Sequence, residues 1–377
     1  MTLPLEQMKA FIVDKTRSNA VAIGDKLPAS TVDGLFQFRE NGGWVGSFWT
    51  GLNYLCYELS GDETFIEVAR RSRHRFTKRL YQNPETLDHD IGFLYSLSSV
   101  ADHKLTGDAE ARQVAIDAAK ALAGRYHEAG RFINAWPVWH PGEEFSEGNR
   151  GRIIVDCMYN LPLLFWAAET TGDARFRNIA EAHADTSAHT LVRPDYSCFH
   201  TYLFDPETGV RLRGTTFQGY ADDSIWSRGQ SWALGGFTYA YRYTGNKLFL
   251  DRAVGCAKLF IRELEADSVP MWDFRLPSKE GEPRDTSAGA IAAAGLLELA
   301  QLAEPDDAAL FRAAAERIVG SLFAHYATVG APEEQGLLRE ATGFRSRHVE
   351  VNVSLIYGDY YFAEAVARLL GRTKAYW

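Results

Sequence analysis

Apolar positions along this chain follow a two-part pattern that recurs from end to end. A segment dense in aromatic and small residues is followed by a break of two or three residues, then by a segment whose charges keep to one face. FWTGLNYLCYEL, IGFLYSLSSVADHKL, CMYNLPLLFWAAET, SWALGGFTYAYRY and SAGAIAAAGLLELAQL are of the first kind; ETFIEVARRSRHRFTKRL and AEARQVAIDAAKALAGRY are of the second. Segments apolar on most sides predict helices buried on most sides, and one-faced segments predict helices that cover them. The breaks are Ser60-Gly61-Asp62, Thr106-Gly107-Asp108, Thr171-Gly172-Asp173 and Thr244-Gly245-Asn246, with a looser Glu304-Pro305-Asp306. Gly suits the positive φ just past a helix end, and Asp or Asn caps the next helix. So short a break folds two helices back antiparallel. VSLIYGDYYFAEAVARLL reads as a sixth inner helix, and LEQMKAFIVDKTRSNAVAIG as its outer partner. The pattern predicts an all-α protein, an (α/α)6 barrel of six helical hairpins, with residues 1–377 as one domain.

Connections inside the hairpins are tiny, whereas those between hairpins are long: 128–155, 193–229, 266–286 and 327–352. In a toroid of antiparallel hairpins the long connections share one face, at the N-terminal ends of the inner helices. Connections longer than about 12–15 residues are usually functional. Trp44, Trp49, Trp136, Trp139, Trp226, Trp232 and Trp272 lie in or beside these segments. Such a set either stacks on flat sugar or base faces or pins the loops to the barrel.

Composition narrows the partners. The net charge is −9, with no basic run, which argues against nucleic acid or an anionic membrane surface as partner. No apolar run approaches the roughly 20 residues that span a bilayer. Cys56, Cys157, Cys198 and Cys256 are far apart and read as free thiols. The start, MTLPLEQMKAFIVDKT, does not read as a signal peptide. The expectation is a cytoplasmic protein.

Candidate chemistry begins in LDHDIGFLYS, where Asp90 precedes the second inner helix. Asp90 fits three roles: metal ligand beside His89, acid or base, or helix N-cap. Asp156 stands at the matching place of the third inner helix, between Ile154-Val155 and Cys157-Met158. Those apolar neighbours predict a desolvated carboxyl with a raised pKa, suited to a general acid. Neighbouring inner helices direct both carboxylates to one rim, where each disfavours ionisation of the other. A metal site would need further ligands, and the only His upstream of His89 is His74, on an outer helix, so no metal or other cofactor is expected. In the segment from His200, DPETG predicts a turn between two short strands, His200–Tyr202 and Val210–Arg213. Gln218 follows, then Arg228, which serves either as a carboxylate clamp or as a partner of Asp222 or Asp223. Asp273 and Asp285 are further acids, the latter reading as a helix N-cap.

Taken in order, LDHDIGFLYS, GRIIVDCMYNLPLLFWA, HTYLFDPETG and DDSIWSRGQSWALGGF resemble the unsaturated glucuronyl hydrolases of glycoside hydrolase family 88, as do MWDF, PRDTSAGAIAAAGLLELA and GDYYFAEA. The resemblance covers essentially the whole chain and implies the same barrel. It implies a small oligosaccharide substrate, an unsaturated-uronate-capped disaccharide left by a polysaccharide lyase. It also implies Asp156 as general acid/base with Asp90 as its partner, and Trp44, His89, Trp136, His200, Gln218, Arg228 and Trp232 around the sugar. The implied reaction protonates C4 of the C4=C5 vinyl ether and adds water at C5, without attack at the anomeric carbon. Two departures stand out: Ser47 where the family usually has Gly, and Glu350, which would repel a sulfate on the leaving sugar. The alternatives are an unsaturated rhamnogalacturonyl hydrolase sharing the barrel and the acid, a non-catalytic sugar-binding toroid, and an all-α metal phosphohydrolase.

Overall fold

A hydroxyl, a glycine and an Asx side chain close four helical hairpins in the same way. Ser60, Thr106, Thr171 and Thr244 each turn the hydroxyl back onto the carbonyl four residues earlier and accept the amide two residues on. Gly61, Gly107, Gly172 and Gly245 follow at φ of 76°, 77°, 76° and 69°, a region costly for any residue with a Cβ. Asp108, Asp173 and Asn246 then cap the next helix through Ala111, Arg175 and Leu248 amides. The fifth break has no glycine: its outer helix starts with Pro305 in the first turn, where a missing N–H costs nothing.

These turns build a ring in a computed structural model that describes residues 3–371 and 375–377. Met1 and Thr2, the start of the stretch considered for a leader, lie outside the described residues. The inner ring runs Gly46–Ser60, Ile91–Thr106, Val155–Thr171, Ser227–Thr244, Thr286–Leu299 and Ile356–Leu369. Each inner helix packs on the next, and the last packs on the first. The outer ring comprises Thr64–Gln82, Ala109–Ala123, Ala174–Thr190, Lys247–Glu263 and Pro305–Ser321. Leu5–Ile23 lies against Gly46–Ser60 and Ile356–Leu369 and completes the outer ring, as its sequence predicts. The fold is the all-α (α/α)6 barrel.

Two inner helices are less regular than their periodicity suggests. The second passes through a π-helical stretch, Ser96–Val100, between Ile91–Tyr95 and Ala101–Thr106. The third begins as a 3-10 turn, Val155–Tyr159, and becomes α-helical only at Pro162–Thr171. Pro162 explains the restart, since it is tolerated in a first turn and not within a helix. Asp156 therefore stands on a tight turn.

The long connections carry small sheets at one rim. Strand Thr201–Phe204 pairs with Arg211–Thr215, close to the expected hairpin, and on its other side with Arg152–Ile154. Further hairpins pair Pro28–Val32 with Leu35–Phe38 and Ala341–Phe344 with Val349–Val353. No helix among the described residues is long and apolar enough to cross a membrane.

Candidate active site

The two inner helices that bear the predicted acids meet at a glycine. A Cβ on Gly92 would lie 2.4 Å from the Asn160 Cα, so only glycine permits this approach. Asn160 then joins the two turns: its Oδ1 accepts the Phe93 amide at 2.6 Å, and its Nδ2 donates to the Asp156 carbonyl at 3.2 Å. Asp90, two residues before Gly92, and Asp156, four before Asn160, come to line one cavity of about 320 Å³.

Asp156 is 8% exposed, and its Oδ2 has no hydrogen-bond partner among the described residues. Burial lifts its pKa to about 7, opposed by the Arg228 charge and by its own backbone amide. At 3.8 Å from that oxygen lies His200 Nε2, also without a partner. The Nδ1 of His200 faces the Phe217 and Gln218 amides, both at 3.0 Å, and so must accept. The proton therefore sits on Nε2, aimed at Asp156. Burial, reinforced by the Arg228 and Arg152 charges, drives the His200 pKa well down and keeps the ring neutral.

His89 has the opposite tautomer. Its Nδ1–H donates to the Ala135 carbonyl at 2.9 Å, leaving the Nε2 lone pair 3.3 Å from Asp90 Oδ1. Burial lowers the His89 pKa to about 4. The Asp90 carboxyl is raised by burial, by Asp88 and by Asp156, while Asn160 and Arg79 pull the other way. Both directions favour a neutral pair, with the Asp90 proton shared toward His89, over an ion pair. Asp90 holds the N-cap position without a capping bond, so the N-cap reading of its side chain does not hold. Asp88, His89 and Asp90 do bring ligand atoms within 4.8 Å of one another. However, His89 Nδ1 is engaged by Ala135, and Asp88 Oδ1 by the Asp90 amide at 2.9 Å. His74 lies exposed on an outer helix, away from this cluster.

Of the residues named from sequence, Trp44, His89, Asp90, Trp136, Asp156, Gln218 and Arg228 line the cavity together, with His200 behind Asp156. Trp232 does not line it. Its indole is fully buried beneath, against Phe93, Tyr159 and Tyr361, because the second turn of its helix faces the barrel axis. Arg228 pairs with neither Asp222 nor Asp223; its Nη1 bonds Asp285 at 2.7 Å and the Thr342 carbonyl, and its Nη2 bonds the Gly343 carbonyl. Among the described residues its Nε has no partner. Asp285 caps its helix through the Ser287 and Ala288 amides while holding that guanidinium. Asp273 is buried and ties the 220–225 loop, accepting the Tyr220 and Ile225 amides and the Ser224 hydroxyl.

The other six tryptophans at this rim divide by role. Trp44, Trp136 and the half-exposed Trp139 face the cavity, whereas Trp49, Trp226 and Trp272 are buried in packing. Trp136 sits 5.1 Å from Trp139 and 5.2 Å from Phe217 in one aromatic wall of the cavity, and Trp44 and Tyr357, 4.8 Å apart, form a second aromatic group lining it. The sequence reading missed Asp88, Arg39, Phe217 and Tyr357 as cavity residues. Asp88 and Phe217 had a signal, their places two residues before Asp90 and next to Gln218; Arg39 and Tyr357 come from distant segments. Ser47 is buried, its hydroxyl on the Phe93 carbonyl. Glu350 does face the cavity, but Arg39 lies 3.0 Å away and the Ser30 hydroxyl donates to it at 2.8 Å. The repulsion expected of Glu350 is therefore partly cancelled.

Residues 26–254 match the model of Glycosyl Hydrolase Family 88. The chain is 42% identical over 369 residues to an unsaturated glucuronyl hydrolase of Bacillus sp. strain GL1, covering 96% of each protein. It is 38% identical to an unsaturated chondroitin disaccharide hydrolase of Streptococcus pneumoniae, covering 92% of this chain and 87% of that one. The crystal structure of the unsaturated glucuronyl hydrolase of Streptococcus agalactiae superposes with a TM-score of 0.93 at 33% identity, covering 100% of this chain and 95% of the other.

Proposed function

This chain belongs to Glycosyl Hydrolase Family 88 and is a glycoside hydrolase; from that premise we propose that its cavity releases a 4,5-unsaturated uronic acid from the non-reducing end of a lyase-generated oligosaccharide. The observation that carries the reading is the Asp156 carboxyl, buried at the cavity wall, its pKa near neutrality and its Oδ2 without a partner. A carboxyl in that state holds a transferable proton at working pH.

Asp156 delivers its proton to C4 of the ring alkene, and the positive charge that develops is shared by C5 and the ring oxygen. Water adds at C5 and gives a proton back to the Asp156 carboxylate. The resulting hemiketal opens and frees the leaving sugar. His200 Nε2–H, aimed at Asp156, favours the carboxylate during the interval in which it exists. Asp90, held neutral with its proton toward His89 Nε2, leaves its other carboxyl oxygen to accept from a sugar hydroxyl or from the incoming water. Trp44 and Trp136 supply flat walls for the ring, Gln218 supplies a polar contact, the buried Arg228 guanidinium supplies positive charge at the wall, and Trp232 supports the floor. Because no nucleophile attacks the anomeric carbon, and the C1–O bond breaks only when the hemiacetal left by ring opening collapses, the usual carboxylate-separation rule for retention or inversion does not apply.

We assign the whole chain to one catalytic domain. The four buried cysteines, all free, support a reducing, cytoplasmic setting. The favoured substrate is an unsaturated uronyl disaccharide. In a test with such disaccharides, purified protein is expected to remove the ultraviolet absorbance of the conjugated C4=C5 bond, without added metal and undiminished by EDTA. Asp156→Asn is expected to lower turnover by about a thousandfold. Unchanged turnover in that variant rejects the mechanism.

A further inference from the structure

Two rim loops carry the cavity's chemistry: one ends in Trp44, the other holds Asp88, His89 and Asp90. They contribute to the cavity from separate hairpins, and one buried guanidinium joins them. Arg79 comes from the last turn of outer helix Thr64–Gln82 and is 8% exposed. Its Nη1 donates to the Asn41 carbonyl at 3.1 Å and to the carbonyl of Gly43, the residue before Trp44. Its Nη2 donates to the Thr86 carbonyl at 2.6 Å and its Nε to Thr86 Oγ1 at 3.0 Å, two residues before Asp88. Among the described residues no carboxylate forms an ion pair with it; Asp88 and Asp90 are the acids whose charge it senses.

A buried cation bonded only to neutral acceptors is a costly way to stabilise a fold. What a guanidinium offers there is a rigid planar fork that fixes several acceptors at once, which an ammonium cannot reproduce. We propose that Arg79 is a positioning residue for the hydrolytic reaction: its fork fixes the Trp44 loop against the Asp88–Asp90 loop and so sets where the sugar ring lies relative to Asp90. Arg125 forms a smaller version of the same device, donating to the Asn134 and Ala135 carbonyls ahead of Trp136, both at 3.0 Å.

The inference rests on the cavity being the unsaturated-uronide site, and two variants test it. Arg79→Lys keeps the charge and loses the fork; kcat is expected to fall by roughly tenfold to a hundredfold, the range that a shift of about 1 Å produces, with the thermal midpoint near that of wild type. Arg79→Ala opens space beside a solvent-facing pocket lined by Asn41, Asn83 and Thr86. Millimolar guanidinium ion is therefore expected to restore part of the lost kcat, and ammonium at equal ionic strength to restore none. Wild-type kcat in Arg79→Lys overturns the proposal, as does a loss confined to KM. A folded Arg79→Ala that guanidinium leaves unchanged overturns it too; should Arg79→Ala fail to fold, Arg79→Lys decides alone. Wild-type enzyme without turnover would sink the functional reading instead, so the two failures are distinguishable.

Discussion

The Asp156 carboxyl titrates near 7 because burial removes the water that would otherwise favour its anion, and no donor replaces that water at Oδ2. The shift amounts to a preference of about 4 kcal/mol for the neutral form over an exposed aspartate. Two predictions follow at this scale. A carboxyl whose folded pKa exceeds its unfolded value binds more protons in the native state, so it withdraws stability as pH rises from about 4 to about 7. Asp156→Asn lacks this penalty, and its thermal midpoint relative to wild type is expected to climb through that window and level off above it. A thermal scan series across pH checks this; a constant offset contradicts the assigned titration. In wild type, kcat/KM is expected to decline on the alkaline side of about pH 7 as the acid loses its proton. Asp156 was legible in the sequence because a charge between apolar neighbours is a local anomaly. The pairing of Arg228 with Asp285 was not, since those residues are far apart in the chain and meet only in the fold.

At the level of elements, the hairpin turns were readable because every group that closes them lies within a few residues. Gly245, at φ of 69°, illustrates the point. Gly245→Ala is expected to cost about 1 kcal/mol in urea unfolding while leaving kcat close to wild type, because the turn lies at the end of the barrel away from the cavity. A large fall in kcat would mean that the inner helices transmit strain along their length. The third inner helix was harder to read. Its apolar run suggests one continuous helix, yet Pro162 and the strand Arg152–Ile154 make Asp156 part of a tight turn. Apart from the hairpin that DPETG announced, the rim strands escaped detection for a related reason: two to five residues are too few for an alternating pattern to stand out.

On the scale of the whole molecule, a chain of net charge −9 draws an anionic uronate into a cavity whose own acids outnumber its cations. Burial favours the neutral form of the catalytic pair, Asp90 and Asp156, and Glu350 is offset by Arg39. Long-range repulsion should nevertheless slow approach of the substrate, and it is screened within a Debye length of about 8 Å at physiological salt. KM is accordingly expected to fall by about twofold as salt rises from low to physiological strength, measured with an unsaturated disaccharide. A rise would mean that a cation at the rim dominates the encounter.

Sequence alone determined the barrel, because helix period, caps and break lengths are local properties repeated often enough to reinforce one another. It also marked Asp156 as a desolvated acid, since apolar residues flank it in the chain, whereas the burial of Asp90 came from the fold. The tertiary structure decided which residues share the cavity, sending Trp232 beneath the floor and bringing Phe217 and Tyr357 into the wall. It fixed both histidine tautomers, through a carbonyl from one loop and two amides from another, and placed Arg79 between loops more than 40 residues apart. Those outcomes depend on close approaches such as Gly92 against Asn160, where the missing side chain matters only because of what arrives from the neighbouring hairpin.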